Sequence, residues 1–311
     1  MERVADAGPG NWFDQFAPAW ARPYGHLARF DRPIGAWLLL FPCWWGQLLA
    51  EHAAGHGLPN FWYLGLFFVG AFVMRGAGCT YNDIVDREYD ARVARTASRP
   101  IPSGRVSVGA ALLFAIVLCL VGLAVLLQFN TFTVWLGIAS LGLVAVYPFA
   151  KRYTDWAQLV LGLTFKWGAL VGWAAIAAGL GAPAVLLYAG SVLWTIGYDT
   201  IYAHQDVEDD AMLGLRSTAR LFGERTPVWL LGLYGGALAL WLGAALLVGA
   251  GAIVIAALAC IGIHFVWQVA TLDIKDAANC LTRFRSNRTV GWLFSLGLAA
   301  EMLVVNVARM P

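Results

Sequence analysis

The chain has 311 residues, 60% of them hydrophobic and only 13% charged, with a formal net charge of +2. A mean hydropathy of +0.66 lies far outside the soluble range, and the charge pattern gives a nucleic-acid role no support. Five cysteines, Cys43, Cys79, Cys119, Cys260 and Cys280, show no CxxC or metal-ligand spacing and read as small buried hydrophobes.

The first thirty residues carry Glu2, Asp6 and Asp14 and have no apolar core. They resemble neither a secretory signal nor an acid-poor transit peptide. Trp12, Phe13, Phe16 and Trp20 suit a short amphipathic segment lying on the membrane surface. Residues 1–33 are therefore read as an N-terminal cytoplasmic or interfacial segment and 34–311 as a single transmembrane domain. Apolar runs long enough for membrane spans follow at Ile34–Ala50, Phe61–Thr80, Ser107–Leu127, Phe132–Ala150, Leu159–Leu180, Ala184–Ala203, Val228–Val248, Ala250–Ala270 and Thr289–Val307. The expected fold is an all-α membrane protein, a bundle of about nine transmembrane helices in a lipid bilayer.

The basic residues test that topology independently. With the N-terminus inside, all of the 21 Lys and Arg except Arg75, Lys166 and Arg309 fall on one side. The opposite loops hold none, a strong positive-inside signal. The signal places two acidic segments, Asn82–Asp90 and Asp206–Asp210, at the cytoplasmic ends of spans two and six.

Asn82, Asp86 and Asp90 are spaced i, i+4, i+8, and Asp206 and Asp210 i, i+4. If the helices continue through them, each set projects from one helical face. Carboxylates about 6 Å apart repel by roughly 3 kcal/mol at an effective dielectric near 20, so each set calls for a cation. The alternating Asp pattern and central glycine of an EF-hand are missing. Mg²⁺ fits better, since it takes a few carboxylates together with substrate phosphates and water. Each segment is followed by arginines, Arg95-Thr96-Ala97-Ser98-Arg99-Pro100 and Arg216-Ser217-Thr218-Ala219-Arg220. This pseudo-repeat would bring the two acidic faces together over a central cavity, and the composition suggests a diphosphate on an isoprenoid tail.

The segment Asn82-Asp83-x-x-Asp86-x-x-x-Asp90 resembles the NDxxDxxxD signature of the UbiA family of intramembrane aromatic prenyltransferases. Tyr198-Asp199-x-x-Tyr202-Ala203-x-x-Asp206-x-x-Asp209-Asp210 resembles its second motif. The resemblance covers nearly the whole chain, including Arg29–Gly35, Met74–Cys79, Arg95–Gly104 and Tyr147–Thr154. These flanking blocks look most like the branch that acts on 4-hydroxybenzoate in ubiquinone synthesis. His204-Gln205 is less typical of the second motif.

The resemblance implies that Asn82, Asp86, Asp90, Asp206 and Asp210 hold Mg²⁺ on the diphosphate of a polyprenyl donor. It also implies that Lys151 and Arg152 bind the diphosphate or the carboxylate of 4-hydroxybenzoate. Arg75 is read either as a substrate contact or as a residue snorkelling to the interface, Lys166 as functional or as the partner of an acid. Asp199 and Tyr202 are placed near the substrate, and Asp83 is read as an outward-facing residue. Glu88, Glu208 and the tryptophans read as solvated charges and interface belts.

Three rivals remain at this point. Another UbiA-type acceptor, such as homogentisate or a naphthoate, stays within the class. An ion-coupled transporter would need acids along a path through the membrane, whereas only Glu51 and Glu301 depart from the cytoplasmic side. A non-catalytic scaffold would not require two cation-demanding clusters. No obligatory protein partner is evident, and a bacterial inner (cytoplasmic) membrane is the expected location.

Overall fold

The computed structural model describes residues 11–93 and 96–308. Glu2, Asp6, Arg95 and Arg309, named above, lie outside them. The long helices are α1 (Ile34–Ala53), α2 (Phe61–Val85), α3 (Val108–Leu126), α4 (Thr131–Val146), α5 (Ala157–Phe165), α6 (Trp167–Ala177), α7 (Ala182–Ala203), α8 (Thr226–Leu247), α9 (Ala252–Ala270) and α10 (Ala277–Ala308). Without water in the bilayer core, these apolar runs can satisfy their backbone groups only as helices. Local signals start them: Ser107 and Asn130 cap α3 and α4 by accepting from Ala110 N and Thr133 N, and Pro183 and Pro227 occupy first turns.

Every expected span falls on a helix. Among the described residues eight helical stretches are long and apolar enough to cross a membrane. The α1 helix is not among them, since Gln47 and Glu51 lower its hydropathy. The chain is a multi-pass membrane protein. Three boundaries differ from the expectation. The second span continues to Val85, so Asn82 and Asp83 lie on the helix itself. Arg283, Arg285 and Arg288 lie on the first turns of α10 rather than in a loop. The fifth span is two helices, α5 and α6, broken at Lys166.

The chain divides into two compact units, residues 1–37 with 68–128, and residues 38–67 with 129–311. In the first, the short helix Trp12–Phe16 turns Phe13 inward onto Phe30 and His26. Trp12, Phe16 and Trp20 are left exposed, as an interfacial segment requires. Leu27, Ile101, Val106 and Ala111 form a small core under the loop that follows the first acidic motif.

In the second unit α7 packs against α5, α8 and α10. Its centre is aromatic: Trp45, Trp194, Trp241 and Phe294 are fully buried with ring centroids 5.1–5.7 Å apart. The expectation that the tryptophans form interface belts fails for these three. Each buried indole N–H finds an acceptor, Trp45 and Trp241 on Ser295 and Ser191 Oγ, Trp194 on Asn287 Oδ1 at 2.7 Å, so burial leaves no polar group stranded. Trp62 and Trp135 do face outward.

Lys166 has a hydrogen-bond partner that the sequence did not suggest: Nζ donates to the backbone carbonyl Leu38 O at 2.7 Å, and the Asp199 charge acts on it as well. Pro42 lies inside α1 and, having no N–H, leaves the carbonyl four residues earlier without its helical donor. That carbonyl is Leu38 O. Lys166 therefore supplies the missing bond, while its Nζ lies over the rings of Trp194 at 4.5 Å and Tyr198 at 5.1 Å. The helices can meet this closely because a Cβ on Gly46 would collide with Ala169 O, and one on Gly172 with Cys43 O.

Glu51 and Glu301, the two acids that depart from the cytoplasmic side in the sequence reading, are helix caps. Glu301 on α10 accepts from Gly251 N, Ile253 N and Val254 N at 2.9–3.2 Å, closing the N-terminus of α9. Glu51 accepts from Asn60 N at 2.9 Å, just before α2. Replacing Glu301 by Gln should cost about 1–2 kcal/mol, because the amide turns a donor toward backbone N–H groups. Thermal unfolding of the detergent-solubilised protein measures it, and an unchanged midpoint would refute the capping role.

Candidate active site

Both acidic motifs are built by the same local device. The α2 helix ends at Val85, and Asp86 (φ −94°, ψ 5°) starts the short helix Arg87–Asp90. The α7 helix ends at Ala203, and after one 3-10 turn Asp206 (φ −117°, ψ 6°) starts the short helix Val207–Met212. Each Asp sits in the sparsely occupied bridge region, where functional residues are often found. At the first break the helical bonds persist: Asp86 N donates to Asn82 O and Asp90 N to Asp86 O, both at 2.9 Å. The i, i+4, i+8 register expected from the spacing is thus retained through the bend, and Asn82 Nδ2 reaches Asp86 Oδ2 at 3.3 Å.

In the first unit Asp83 and Asp86 are fully buried and Asp90 nearly so. Asp83 is therefore not outward-facing. Its Oδ1 accepts from Arg29 Nη2 at 2.6 Å and from Arg99 Nη1 at 3.3 Å, and Arg99 Nη1 also donates to Asp90 Oδ2 at 2.8 Å. Arg29 and Arg99 were absent from the expected site. The only sequence signal for them was membership in the arginine-bearing blocks beside the motif. Thr96 Oγ1 donates to Asp90 O at 2.8 Å, wrapping the loop around the acid. Burial pushes the Asp90 carboxyl above its ordinary value, with Arg99 opposing and the Asp83 and Asp86 charges adding to the rise. Arg75, ten residues before the end of α2, has its Nε 2.6 Å from where a Cβ on Gly35 would stand, so its guanidinium lies over that glycine.

The second unit holds the remaining candidates. Asp199 and Tyr202 lie on the last turns of α7, half-buried, as are Asp206 and Asp210. The Tyr202 ring packs on Phe284 at 4.5 Å. His204 Nε2 meets Thr226 Oγ1 at 2.9 Å, which accounts for the unusual residue at that point of the motif. Lys151 and Arg152, on the helical turn Ala150–Tyr153, are brought beside the second motif by backbone bonds. Leu215 N donates to Asp210 O and Arg216 N to Lys151 O, both at 2.8 Å. Thr218 is fixed from two sides, its N–H by Gln158 Oε1 at 2.9 Å and its hydroxyl by Thr200 at 2.6 Å.

These oxygen donors suit a hard divalent ion. Among the described residues no group of three or more His, Cys, Asp or Glu is gathered to hold a metal ion. Glu88 and Glu208 are exposed, as expected.

The UbiA prenyltransferase family matches residues 39–296. The chain belongs to this family. Among curated UbiA-family relatives, the mitochondrial 4-hydroxybenzoate polyprenyltransferase of Rattus norvegicus is 49% identical over 288 residues, 91% of this chain and 75% of the relative. That of Homo sapiens is 47% identical over 91% of this chain and 76% of the relative. The UbiA homolog of Aeropyrum pernix has a similar fold, with a TM-score of 0.72 and 26% identity over 86% of this chain and 98% of that one. A UbiA homolog from Archaeoglobus fulgidus, bound to GPP and Mg²⁺, shares the fold at a TM-score of 0.64 and 20% identity, covering 92% and 99%.

Proposed function

We propose that this UbiA-family protein is a 4-hydroxybenzoate polyprenyltransferase, moving a polyprenyl group from its diphosphate to the ring carbon ortho to the hydroxyl, in ubiquinone biosynthesis. The observation that carries it is the acidic motif built twice on the same bent-helix device, in a chain 43–49% identical to enzymes of that name. Asn82, Asp86 and Asp90 in one unit, and Asp206 and Asp210 in the other, are the residues that would hold metal ions, for which Mg²⁺ is the best fit. When bound, Mg²⁺ supplies positive charge to the diphosphate oxygens as the allylic C–O bond weakens. Lys151, Arg152 and Arg75 add fixed cations for the diphosphate or the acceptor carboxylate, and Arg152 suits a bidentate carboxylate. Asp199 and Tyr202 are assigned to substrate binding. Apolar helix walls keep water from the allylic carbon. The C–O bond breaks with its electron pair on diphosphate, the phenol-activated ring carbon attacks, and the ring proton leaves to restore aromaticity.

We place residues 34–311 as one catalytic domain behind the interfacial segment 1–33, in a bacterial cytoplasmic membrane with both motifs on the cytoplasmic side. The positive-inside pattern supports that orientation, and the relatives named above are mitochondrial. Purified protein given a polyprenyl diphosphate, Mg²⁺ and a panel of acceptors should prenylate 4-hydroxybenzoate. Product only from homogentisate or a naphthoate would overturn the acceptor. Excess chelator should stop turnover, with Mn²⁺ restoring part of it; turnover in chelator would remove the metal from the reaction.

A further inference from the structure

The i, i+4, i+8 register leaves one acid of the first motif over. Asp83 is fully buried, and its Oδ1 is shared between two guanidiniums, Arg29 Nη2 at 2.6 Å and Arg99 Nη1 at 3.3 Å. Arg29 holds a left-handed backbone, φ +59°, a conformation that non-glycine residues rarely adopt. It is kept there by its own Nη1, which donates to His26 O at 2.7 Å, while His26 Nε2 meets Asp14 Oδ1 at 2.7 Å. On the other side Arg99 carries the chain of contacts to Asp90 Oδ2 at 2.8 Å. A divalent ion on Asp83 would have to use Oδ2, which makes no hydrogen bond, with two guanidiniums held on Oδ1 of the same carboxylate, and Coulomb repulsion opposes that.

We propose that Asp83 is a positioning residue rather than a metal ligand: it fixes Arg99, and through Arg99 the Asp90 carboxylate, while Arg29 ties the N-terminal segment to the same acid. This rests on the reading of Asp86 and Asp90 as ion ligands. Arg99 acts as a bridge that needs both of its acids. Both contacts come from one nitrogen, Nη1, and a lysine in its place keeps the charge but carries it on a flexible stem without the planar guanidinium that fixes that nitrogen between the two acids.

The test is Mn²⁺ binding to the full-length detergent-solubilised protein, read by loss of the free-ion EPR signal in the presence of inorganic pyrophosphate. Asp83→Asn should weaken binding about tenfold, the usual scale for a residue that orients a ligand. In an Arg99→Gln background the same change should cost less than about twofold, since the bridge is already gone. A metal ligand, or a charge acting at long range, would give equal losses in both backgrounds, and that result overturns the proposal. So does wild-type affinity in Asp83→Asn. Should Asp83→Asn not fold, Arg99→Lys tests the clamp with net charge conserved: weakening of about threefold or more is expected, and unchanged binding refutes it. Asp86→Asn is the control. If it binds Mn²⁺ like the wild type, the ion site itself is misassigned; if it does not, additive losses count against Asp83 alone.

Discussion

Asp86→Ala should lower turnover by roughly a thousandfold, the upper range for losing one preorganised charge-stabilising group, while the protein inserts and unfolds like the wild type. Asp86 lies within the acidic set that raises the Asp90 carboxyl, so removing its charge relieves repulsion between buried carboxylates. The helical bonds through the bend are made by the backbone and survive the change. Asp206→Ala should behave alike, because Asp206 opens the matching short helix in the other unit. Turnover with saturating diphosphate and 4-hydroxybenzoate, set beside thermal unfolding of the same preparations, checks both halves. Wild-type activity in either variant would remove that residue from the ion site. A large loss of stability in Asp86→Ala would make it a structural acid instead.

The second large effect concerns Lys166. Lys166→Met should destabilise the protein by about 1–3 kcal/mol, because Leu38 O is left buried without a donor. Pro42→Ala in the same chain returns an N–H to that carbonyl, so the double variant should recover about 1 kcal/mol or more of the loss. Thermal unfolding of the two single variants and the double variant gives the coupling. Additive losses would show that Lys166 does not answer the proline. The pairing joins residues 128 positions apart, and neither looks like the other's partner in the sequence.

The legible parts of the site were local. Asn82, Asp86 and Asp90 share one register because a helical repeat brings i and i+4 together, and the bend at Asp86 is too slight to break it. The charge map was legible for a related reason: it depends only on which loops carry Arg and Lys. The role of Asp83 was not legible. Its partners Arg29 and Arg99 lie 54 and 16 residues away, and an acid inside an acidic motif gives no sign of which neighbours are ligands. The capping roles of Glu51 and Glu301 were not legible for the same reason, since the backbone N–H groups they bind lie at the starts of other helices.

By itself the sequence determined an all-helical membrane chain and two carboxylate sets that call for a cation, because hydropathy and helical spacing are properties of neighbouring residues. Only the tertiary structure decided which tryptophans are core and which face outward, that Lys166 serves a proline-freed carbonyl, and that Asp83 is held by two arginines. In a soluble protein the apolar face of each helix would have marked its inner side. Here lipid is as apolar as the core, so the pattern that separates inside from outside is erased, and packing alone assigns the partners.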